Sequence, residues 1–228
     1  MKKDKFLNNY KRIVLSQTAT TIFSILIILT SLFSVSKENT TIEWIVLSLT
    51  MTGGVINIWG TYLLSLKKKS SLILLVSSYV FLSISDLLLG LYFGFLLYVT
   101  ISILLIYKII NWEKEDSSSN PRNINKKSFA FITIATILLT IAFGSISYFV
   151  FDQEWYTFLD SATFFFTIAS FWLLSRDYIE CYWLFFFINI CLTIPLYSFI
   201  GIWTVVTTTI IYVVIDIAGY SNWLDIKK

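Results

Sequence analysis

Long apolar runs, broken by short polar stretches, set the pattern of the whole chain. Most have the length of one membrane-spanning helix, but 71–107 and 181–215 are nearly twice as long. A single helix of either length would outreach a hydrocarbon core of about 30 Å, so each run must fold back, near Gly90 in the first and near Pro195 and Gly201 in the second. The sequence therefore predicts eight transmembrane helices. They are 13–34, 42–66, 71–87, 90–110, 128–151, 156–175, 181–198 and 201–220.

Positive charge falls almost entirely on one side of these spans. Of the 17 Lys and Arg residues, all but Lys37 lie in segments that this arrangement places on the same side. Because cytoplasmic loops carry the Lys and Arg excess of membrane proteins, we expect that side and both termini to be cytoplasmic. The basic groups are Lys2, Lys3, Lys5, Lys11 and Arg12; Lys67, Lys68 and Lys69; Lys108, Lys114, Arg122, Lys126 and Lys127; Arg176; and Lys227 and Lys228.

Composition agrees with a membrane protein and excludes several kinds of chemistry. The chain is 57% hydrophobic and 14% charged, whereas a soluble domain averages about 25% charged residues. The alternating segments of a membrane β-barrel are absent, which leaves an all-α multi-pass protein. The chain contains no His, which excludes His-based acid–base catalysis, haem with a His ligand and most zinc chemistry. No catalytic residues, no metal and no cofactor are expected. The net charge of +3 belongs to the cytoplasmic loops, so no nucleic acid partner is expected.

The two long runs are related by a shift of 110 residues, which carries 71–110 onto 181–220. Each follows one span and a basic turn, and Gly90-Leu91-Tyr92 is echoed by Gly201-Ile202-Trp203. We therefore predict two parallel three-helix repeats joined by a linker helix, with an extra helix in front, which is a transporter architecture. The predicted segments are 1–41 (cytoplasmic N-terminus and extra span), 42–112 (first repeat), 113–127 (cytoplasmic linker), 128–151 (connecting span), 152–223 (second repeat) and 224–228 (cytoplasmic tail).

Three acidic residues lie in or beside the predicted spans, where an ionised side chain is costly and is a candidate for function. Asp160 begins the apolar part of the sixth span, so it is a candidate for a substrate pathway, with helix capping as the alternative. Asp86 is expected at an outer turn, where water would solvate it. Asp216 is expected near the inner surface, where water also reaches.

The seventh span carries a line of rings that ends in an amide. Tyr182, Phe185 and Asn189 are spaced i, i+3 and i+7, so they share one helix face. A ring face binds cations and flat heteroaromatic groups, and an amide within the membrane needs a hydrogen-bonding partner that a substrate can supply. The alternative is that the rings face lipid while Asn189 bonds to another helix.

Short motifs in the second half of the chain occur in a recognisable order and spacing. They are Leu159-Asp160-Ser161, Ser175-Arg176-Asp177-Tyr178-Ile179-Glu180, Tyr182-x-x-Phe185-x-x-x-Asn189 and Gly201-Ile202-Trp203. Together they resemble the PnuC-type nicotinamide riboside transporter family, whose corresponding motifs include W-D-S and W-x-x-W-x-x-x-N. Leu91-Tyr92, Tyr107 and Trp112 resemble the first half of that family, so the resemblance covers about 42–223.

This resemblance implies a fold similar to that of SWEET sugar transporters and passive uptake of a small vitamin or nucleoside through a bacterial plasma membrane. It also implies a cytosolic kinase that traps the substrate by phosphorylation, and it leaves open whether the protein forms a homo-oligomer. Carried onto this chain, the binding positions are Tyr182, Phe185 and Asn189, with Asp160 at the aspartate of W-D-S.

The chain departs from the family at several of these positions. Tyr182 and Phe185 replace two Trp residues, and Tyr98 stands where Gln is typical. Trp183 would substitute for a lost Trp if its helix were rotated by about 100°. Smaller rings and fewer amides suit another ligand of the family, whose members are associated with thiamine, riboflavin and deoxynucleosides.

Charge separates these ligands. Nicotinamide riboside and thiamine carry a ring cation, which Tyr and Phe rings beside Asp160 favour, whereas riboflavin and deoxynucleosides are neutral. The sequence thus favours a facilitator for nicotinamide riboside or another cationic vitamin. The alternatives are a riboflavin or deoxynucleoside transporter and the membrane subunit of an ATP-driven vitamin importer. No enzyme motif is found, so an enzyme is not expected.

Overall fold

The computed structural model describes residues 2–33, 41–88, 92–112, 121–150, 155, 157–200 and 203–227, and these ranges are almost wholly helical. The prediction of an all-α protein is confirmed. The helices are α1 (Lys2–Val14), α2 (Gln17–Phe33), α3 (Thr41–Ser65), α4 (Ser70–Leu88), α5 (Tyr92–Asn111), α6 (Lys126–Val150), α7 (Thr157–Ser175), α8 (Cys181–Phe187), α9 (Ile194–Ile200) and α10 (Trp203–Lys227), with a π-helical segment (Ile188–Thr193) between α8 and α9.

Within the described ranges, seven segments are long and apolar enough to cross a membrane. They are α3, α4, α5, α6, α7, α10 and the continuous run from α8 to α9. The end of α1 and α2 together make a bent pair, at 55°, that raises the number to eight. Each predicted span therefore overlies an observed helix. The turns expected at Gly90 and Gly201 lie outside the described residues.

Two boundaries differ from the predicted ones. The segment before the first span, expected to be a cytoplasmic tail, begins a helix at Lys2, and the last helix ends at Lys227 rather than at 220. The break between α1 and α2 falls at Ser16, whose side-chain oxygen accepts the backbone N–H of Ala19 at 3.1 Å. This is an N-cap, and it starts α2 as a separate helix.

Polar side chains inside the spans fold back onto their own helices. The hydroxyl of Ser24 donates to the carbonyl of Thr20 at 2.9 Å, and that of Ser170 donates to Phe166 at 2.7 Å. Such bonds satisfy a hydroxyl without a partner from another helix. A sequence with many Ser and Thr residues in its apolar runs can therefore still cross a membrane.

Two equivalent turns follow α3 and α7, the first helices of the two predicted repeats. Lys67 and Asp177, which are 110 positions apart, both adopt positive φ angles, of 53° and 57°. In each turn the next residue donates its backbone N–H to the carbonyl five positions earlier, at 3.0 Å after α3 and 3.1 Å after α7. This is a Schellman ending, and the preceding residues 63–65 and 173–175 both read Leu-Leu-Ser. The backbone therefore has the same turn conformation at two positions that the 110-residue shift relates.

The two predicted repeats contact each other in the same way in both directions. Helix α3 packs against α10, and α5 packs against α7. The side chain of Trp223 on α10 donates to the carbonyl of Leu64 at 3.2 Å, and Lys108 on α5 donates to the carbonyl of Leu174 at 2.9 Å. The last helix of each predicted repeat (α10 or α5) thus donates a hydrogen bond to a carbonyl at the end of the first helix of the other repeat (α3 or α7). This is the pairing that a twofold axis along the membrane normal would produce, and the division into repeats itself stays a prediction.

The basic groups of the described residues gather where these helices end. Lys11 pairs with Asp225 near the end of α10, and the ammonium of Lys67 lies 5.9 Å from the centre of the Trp223 ring. The backbone N–H of Arg122 donates to the carbonyl of Asp177 at 2.9 Å, which docks the segment before α6 onto the α7–α8 turn. We call this region the basic end of the protein; it contains Lys11, Lys67, Lys108, Arg122 and Arg176.

Candidate functional site

A cavity of about 590 Å³ lies among the helices. Its lining begins at Leu64 and Leu75, close to the basic end. It extends to Ser31, Asp86 and Thr157, which lie at the opposite ends of α2, α4 and α7. The cavity therefore runs from the centre of the protein toward the end that lies opposite the basic residues.

Aromatic rings form a continuous line along one wall of the cavity. Tyr98 stacks on Tyr79 with ring centres 5.6 Å apart and planes inclined by 18°. Tyr79 meets Phe171 edge to face at 5.6 Å, and Phe171 meets Phe185 at 5.2 Å. Phe185 is followed by Tyr182 at 6.4 Å. Four helices, α4, α5, α7 and α8, thus contribute to one aromatic surface, on which a flat ring can stack.

Two amides contribute hydrogen-bonding groups to the lining. The side-chain N–H of Asn189, in the π-helical segment, donates to Oδ2 of Asp216 on α10 at 3.0 Å. On α3, the side-chain oxygen of Asn57 accepts a hydrogen bond from the hydroxyl of Thr61 at 3.3 Å. Both amides line the cavity, so a bound molecule can reach them.

The charged side chains that line the cavity, within the described part of the chain, are all carboxylates: Asp86, Asp160 and Asp216. Asp216 is 6% exposed and lies deep, whereas Asp160 is exposed in the first turn of α7. Tyr197 on α9 lies close enough to Asp86 and Asp160 to interact with both electrostatically. The lining therefore combines negative charge with aromatic rings, a combination that attracts cations.

Five of the six predicted binding residues lie on this cavity: Tyr182, Phe185, Asn189, Asp160 and Tyr98. The structure places the sixth, Trp183, outside the lining. Its side chain is 56% exposed and contacts Tyr220, with ring centres 5.3 Å apart. The helix is not rotated in the way that a replacement of the lost Trp would require.

Several lining residues were not among the predicted ones. Tyr79, Phe171 and Tyr212 contribute rings, and Asn57 contributes a polar group; Asp216, which was expected near the inner surface, also lines the cavity. The 110-residue shift would have found one of them, because it carries Tyr79 onto Asn189. Asn57 was visible as an amide in the middle of an apolar span. Phe171 and Tyr212 have no distinguishing pattern in a chain that contains 20 Phe and 13 Tyr residues.

The protein is closed between the cavity and the basic end. Leu173, Leu174 and Cys181 are fully buried there, and Lys108 is buried in an ion pair with Asp177 at 3.0 Å. Burial lowers the pKa of Lys67 in the adjacent turn, and the charges of Lys108 and Arg122 lower it further, while that of Asp177 opposes the shift. These groups are therefore close enough to act on one another.

Comparison with known protein families shows which family this chain belongs to. Residues 47–225 match the family model described as "Nicotinamide mononucleotide transporter". The chain belongs to this family. The resemblance inferred from the motifs is thereby confirmed, and the protein is a membrane transporter rather than an enzyme. The match includes every helix that lines the cavity except α2.

A solved structure supports the fold assignment. The structure described as "Crystal structure of the Vitamin B3 transporter PnuC" superposes with a TM-score of 0.61 at 16% sequence identity. The alignment covers 93% of this chain and 92% of that chain. At this identity the likeness concerns the fold. No curated protein sequence matches the chain.

Proposed function

We propose that this transporter carries a small vitamin or nucleoside with a positively charged ring and no phosphate group, and that its substrate is nicotinamide riboside or thiamine. The observation that supports this most directly is the cavity lining, which combines aromatic rings with Asp86, Asp160 and Asp216. A ring cation gains from both features, since ring faces attract cations and carboxylates pair with them.

The same lining disfavours a nucleotide, although the family name refers to one. A phosphate group carries about two negative charges at neutral pH and binds to arginines, lysines or backbone N–H groups. Here it would meet three carboxylates. Nicotinamide riboside differs from nicotinamide mononucleotide by the absence of this phosphate, so the lining favours the nucleoside.

The aromatic wall and the amides fit the remaining parts of such a substrate. The flat ring would stack against the surface formed by Tyr79, Tyr98 and Phe185, and the hydroxyl or amide groups would bond with Asn57 and Asn189. The predicted roles of Tyr182, Phe185, Asn189, Asp160 and Tyr98 in binding are part of this proposal. Trp183 has no part in it.

We also propose the direction and mode of transport. The basic end would face the cytoplasm of a bacterial cell, with both termini inside, because Lys and Arg residues concentrate on the cytoplasmic side. The cavity would then face outward. Transport would be facilitated diffusion, and a cytosolic kinase would trap the substrate by phosphorylation, as the resemblance of the motifs implies.

The test is thermal stabilisation of the purified protein in detergent by a panel of ligands. The panel contains nicotinamide riboside, nicotinamide mononucleotide, thiamine, riboflavin and a deoxynucleoside. A ligand that binds only the folded state raises the free energy of unfolding, by about 2.7 kcal/mol at a concentration of 100 times its Kd, and the melting temperature rises with it. We expect a shift with one of the two ring cations and a much smaller one with the mononucleotide.

A shift with riboflavin or the deoxynucleoside alone would contradict the proposed substrate class while leaving the family assignment intact. The mode of transport is tested separately by uptake into proteoliposomes without ATP. Equilibration of the labelled substrate without ATP is expected, and a requirement for a second, ATP-hydrolysing protein would contradict facilitated diffusion.

A further inference from the structure

Asp216 differs from the other two carboxylates in where it lies. It is on α10, eleven residues before the end of that helix at Lys227, and its side chain is 6% exposed. Asp86 is in the last turns of α4, and Asp160 is in the first turn of α7, both at the end of the cavity opposite the basic residues. Asp216 is therefore the carboxylate at the deep end of the cavity.

In its ionised form, Asp216 has no positive partner among the described residues. Among the described residues its carboxylate has one hydrogen-bond donor, the amide of Asn189, which engages Oδ2. Oδ1 receives no hydrogen bond from them, and the described ion pairs involve other residues. An ionised carboxylate inside a membrane protein is costly unless a positive group pairs with it. The amide donates one hydrogen bond but no charge.

Three tyrosines lie near this carboxylate. Tyr79, Tyr182 and Tyr212 are each close enough to Asp216 for an electrostatic interaction with it. The hydroxyl of Tyr182 lies in the interior, next to Ser65. A carboxylate within a group of aromatic rings is the arrangement that holds a flat cation, because rings and carboxylate attract it together.

We infer that Asp216 is the specificity-determining carboxylate, which pairs with the positive ring of the substrate, and that Asn189 positions it. The inference rests on the proposed function, since it names the group that recognises the cation. Asp86 and Asp160 attract cations toward the cavity but do not select the bound one. The substrate thus supplies the missing positive charge, and a neutral ligand of the same shape leaves Asp216 unpaired.

The experiment uses ligand pairs that differ in ring charge and very little in shape. Nicotinamide riboside is compared with its neutral 1,4-dihydro form, and thiamine with neutral 3-deazathiamine. Affinities of the full-length protein in detergent are measured by calorimetry or thermal shift. The wild-type protein is expected to prefer the cation of its pair by about tenfold or more. In the Asp216→Asn variant this preference is expected to disappear.

Two further variants serve as controls. Glu43→Gln removes a carboxylate from the first turn of α3, outside the cavity lining, and is expected to keep the preference in binding. Asp216→Glu keeps the charge and is expected to keep the preference even where its affinity falls. Asp216→Thr serves as a second uncharged variant if Asp216→Asn is not recovered as a folded, monodisperse protein.

The outcomes separate this inference from the function on which it rests. A wild-type preference for the cation that survives in Asp216→Asn or Asp216→Thr overturns the role of Asp216 and leaves the proposed substrate class standing. A wild-type protein that binds neither cation of the two pairs overturns the proposed function, and the inference with it. Loss of the preference in the uncharged Asp216 variants alone supports both.

Discussion

At the scale of single residues, Asn189 has two tasks that no other described side chain shares. It lines the cavity, and it donates the hydrogen bond that Asp216 receives. Truncation would leave a buried carboxylate without its donor, which costs about 1–3 kcal/mol or more for a charged group. We expect Asn189→Ala to abolish uptake while the protein remains folded in the membrane.

Membrane abundance, melting temperature and initial uptake rate are measured together for this variant. Trp183→Ala is the matched control, because Trp183 is on the same continuous span, faces away from the cavity and is 56% exposed. It is expected to retain uptake. Unchanged transport by Asn189→Ala would remove this part of the span from the site.

Asp160 leads to a different prediction, because it is exposed and lies at the end of the cavity opposite the basic residues. A carboxylate there attracts cations during association, an effect that salt screens. We expect Asp160→Asn to slow the uptake of nicotinamide riboside or thiamine more than that of a neutral analogue. The difference should shrink at high ionic strength. Equal slowing of both ligands at every salt concentration would show that Asp160 has a structural role.

The sequence predicted correctly which residues of the seventh span share a face, but it misplaced Asp216. Tyr182, Phe185 and Asn189 line the cavity together because helical spacing alone places them on one face. Asp216 was expected near the inner surface because the last span was predicted to end at 220. The helix continues to Lys227, which places Asp216 about 16 Å from its end at 1.5 Å per residue.

At the scale of helices, the ion pair between Lys108 and Asp177 joins the two halves at the basic end. Lys108 is 3% exposed in its side chain and Asp177 is 7% exposed. Lys108 also donates to the carbonyls of Leu174 and Ser175, at 2.9 and 3.4 Å, so it places a positive charge at the C-terminal end of α7. Its contact with Asp177 Oδ1 is ionic rather than an aligned hydrogen bond.

We expect Lys108→Met to destabilise the protein by about 3–5 kcal/mol, because removal of one partner leaves the other charge buried alone. The double variant Lys108→Met/Asp177→Asn should recover part of this loss. Unfolding in mixed detergents measures the free energies, and Lys127→Met is the control, since Lys127 is exposed at the start of α6. A double variant no more stable than Lys108→Met would argue against a coupled pair.

The helices themselves could be predicted almost completely. Apolar length fixes each span to within a few residues, since a helix must match the thickness of the membrane. Helix α1 was missed because its residues are largely polar and its place depends on α10, where the Tyr10 hydroxyl donates to the carbonyl of Val214 at 2.9 Å. The π-helical segment was missed because its hydrogen bonding leaves no pattern in the sequence.

At the scale of the whole molecule, the cavity formed by the described residues lies toward one end and is separated by buried side chains from the other. The cavity reaches the ends of α2, α4 and α7, while the buried side chains of Leu173, Leu174 and Cys181 lie between it and the basic end. Parallel repeats around a central site are expected to expose that site to each side in turn. The repeat pattern was visible in the sequence, but which side is open depends on packing between helices that are distant in sequence.

This asymmetry predicts which face of the membrane gives access to the cavity. Ser161 lines the cavity near the start of α7, and Ser170 is fully buried nine residues further along the same helix. A cysteine is introduced at either position in a Cys181→Ala/Cys191→Ala background, since both native cysteines are free thiols. A membrane-impermeant maleimide added to intact cells should modify Ser161→Cys and leave Ser170→Cys unmodified.

A bound substrate should slow the modification of Ser161→Cys, because it occupies the same cavity. In inside-out vesicles, where the basic end faces the reagent, Ser161→Cys should react slowly, since the closed region lies between. Faster modification from the vesicle side than from the cell side would mean either that the basic end faces outward or that the closed region opens readily. Labelling of a cysteine placed at exposed Lys127 separates these two cases, because it reports the orientation alone.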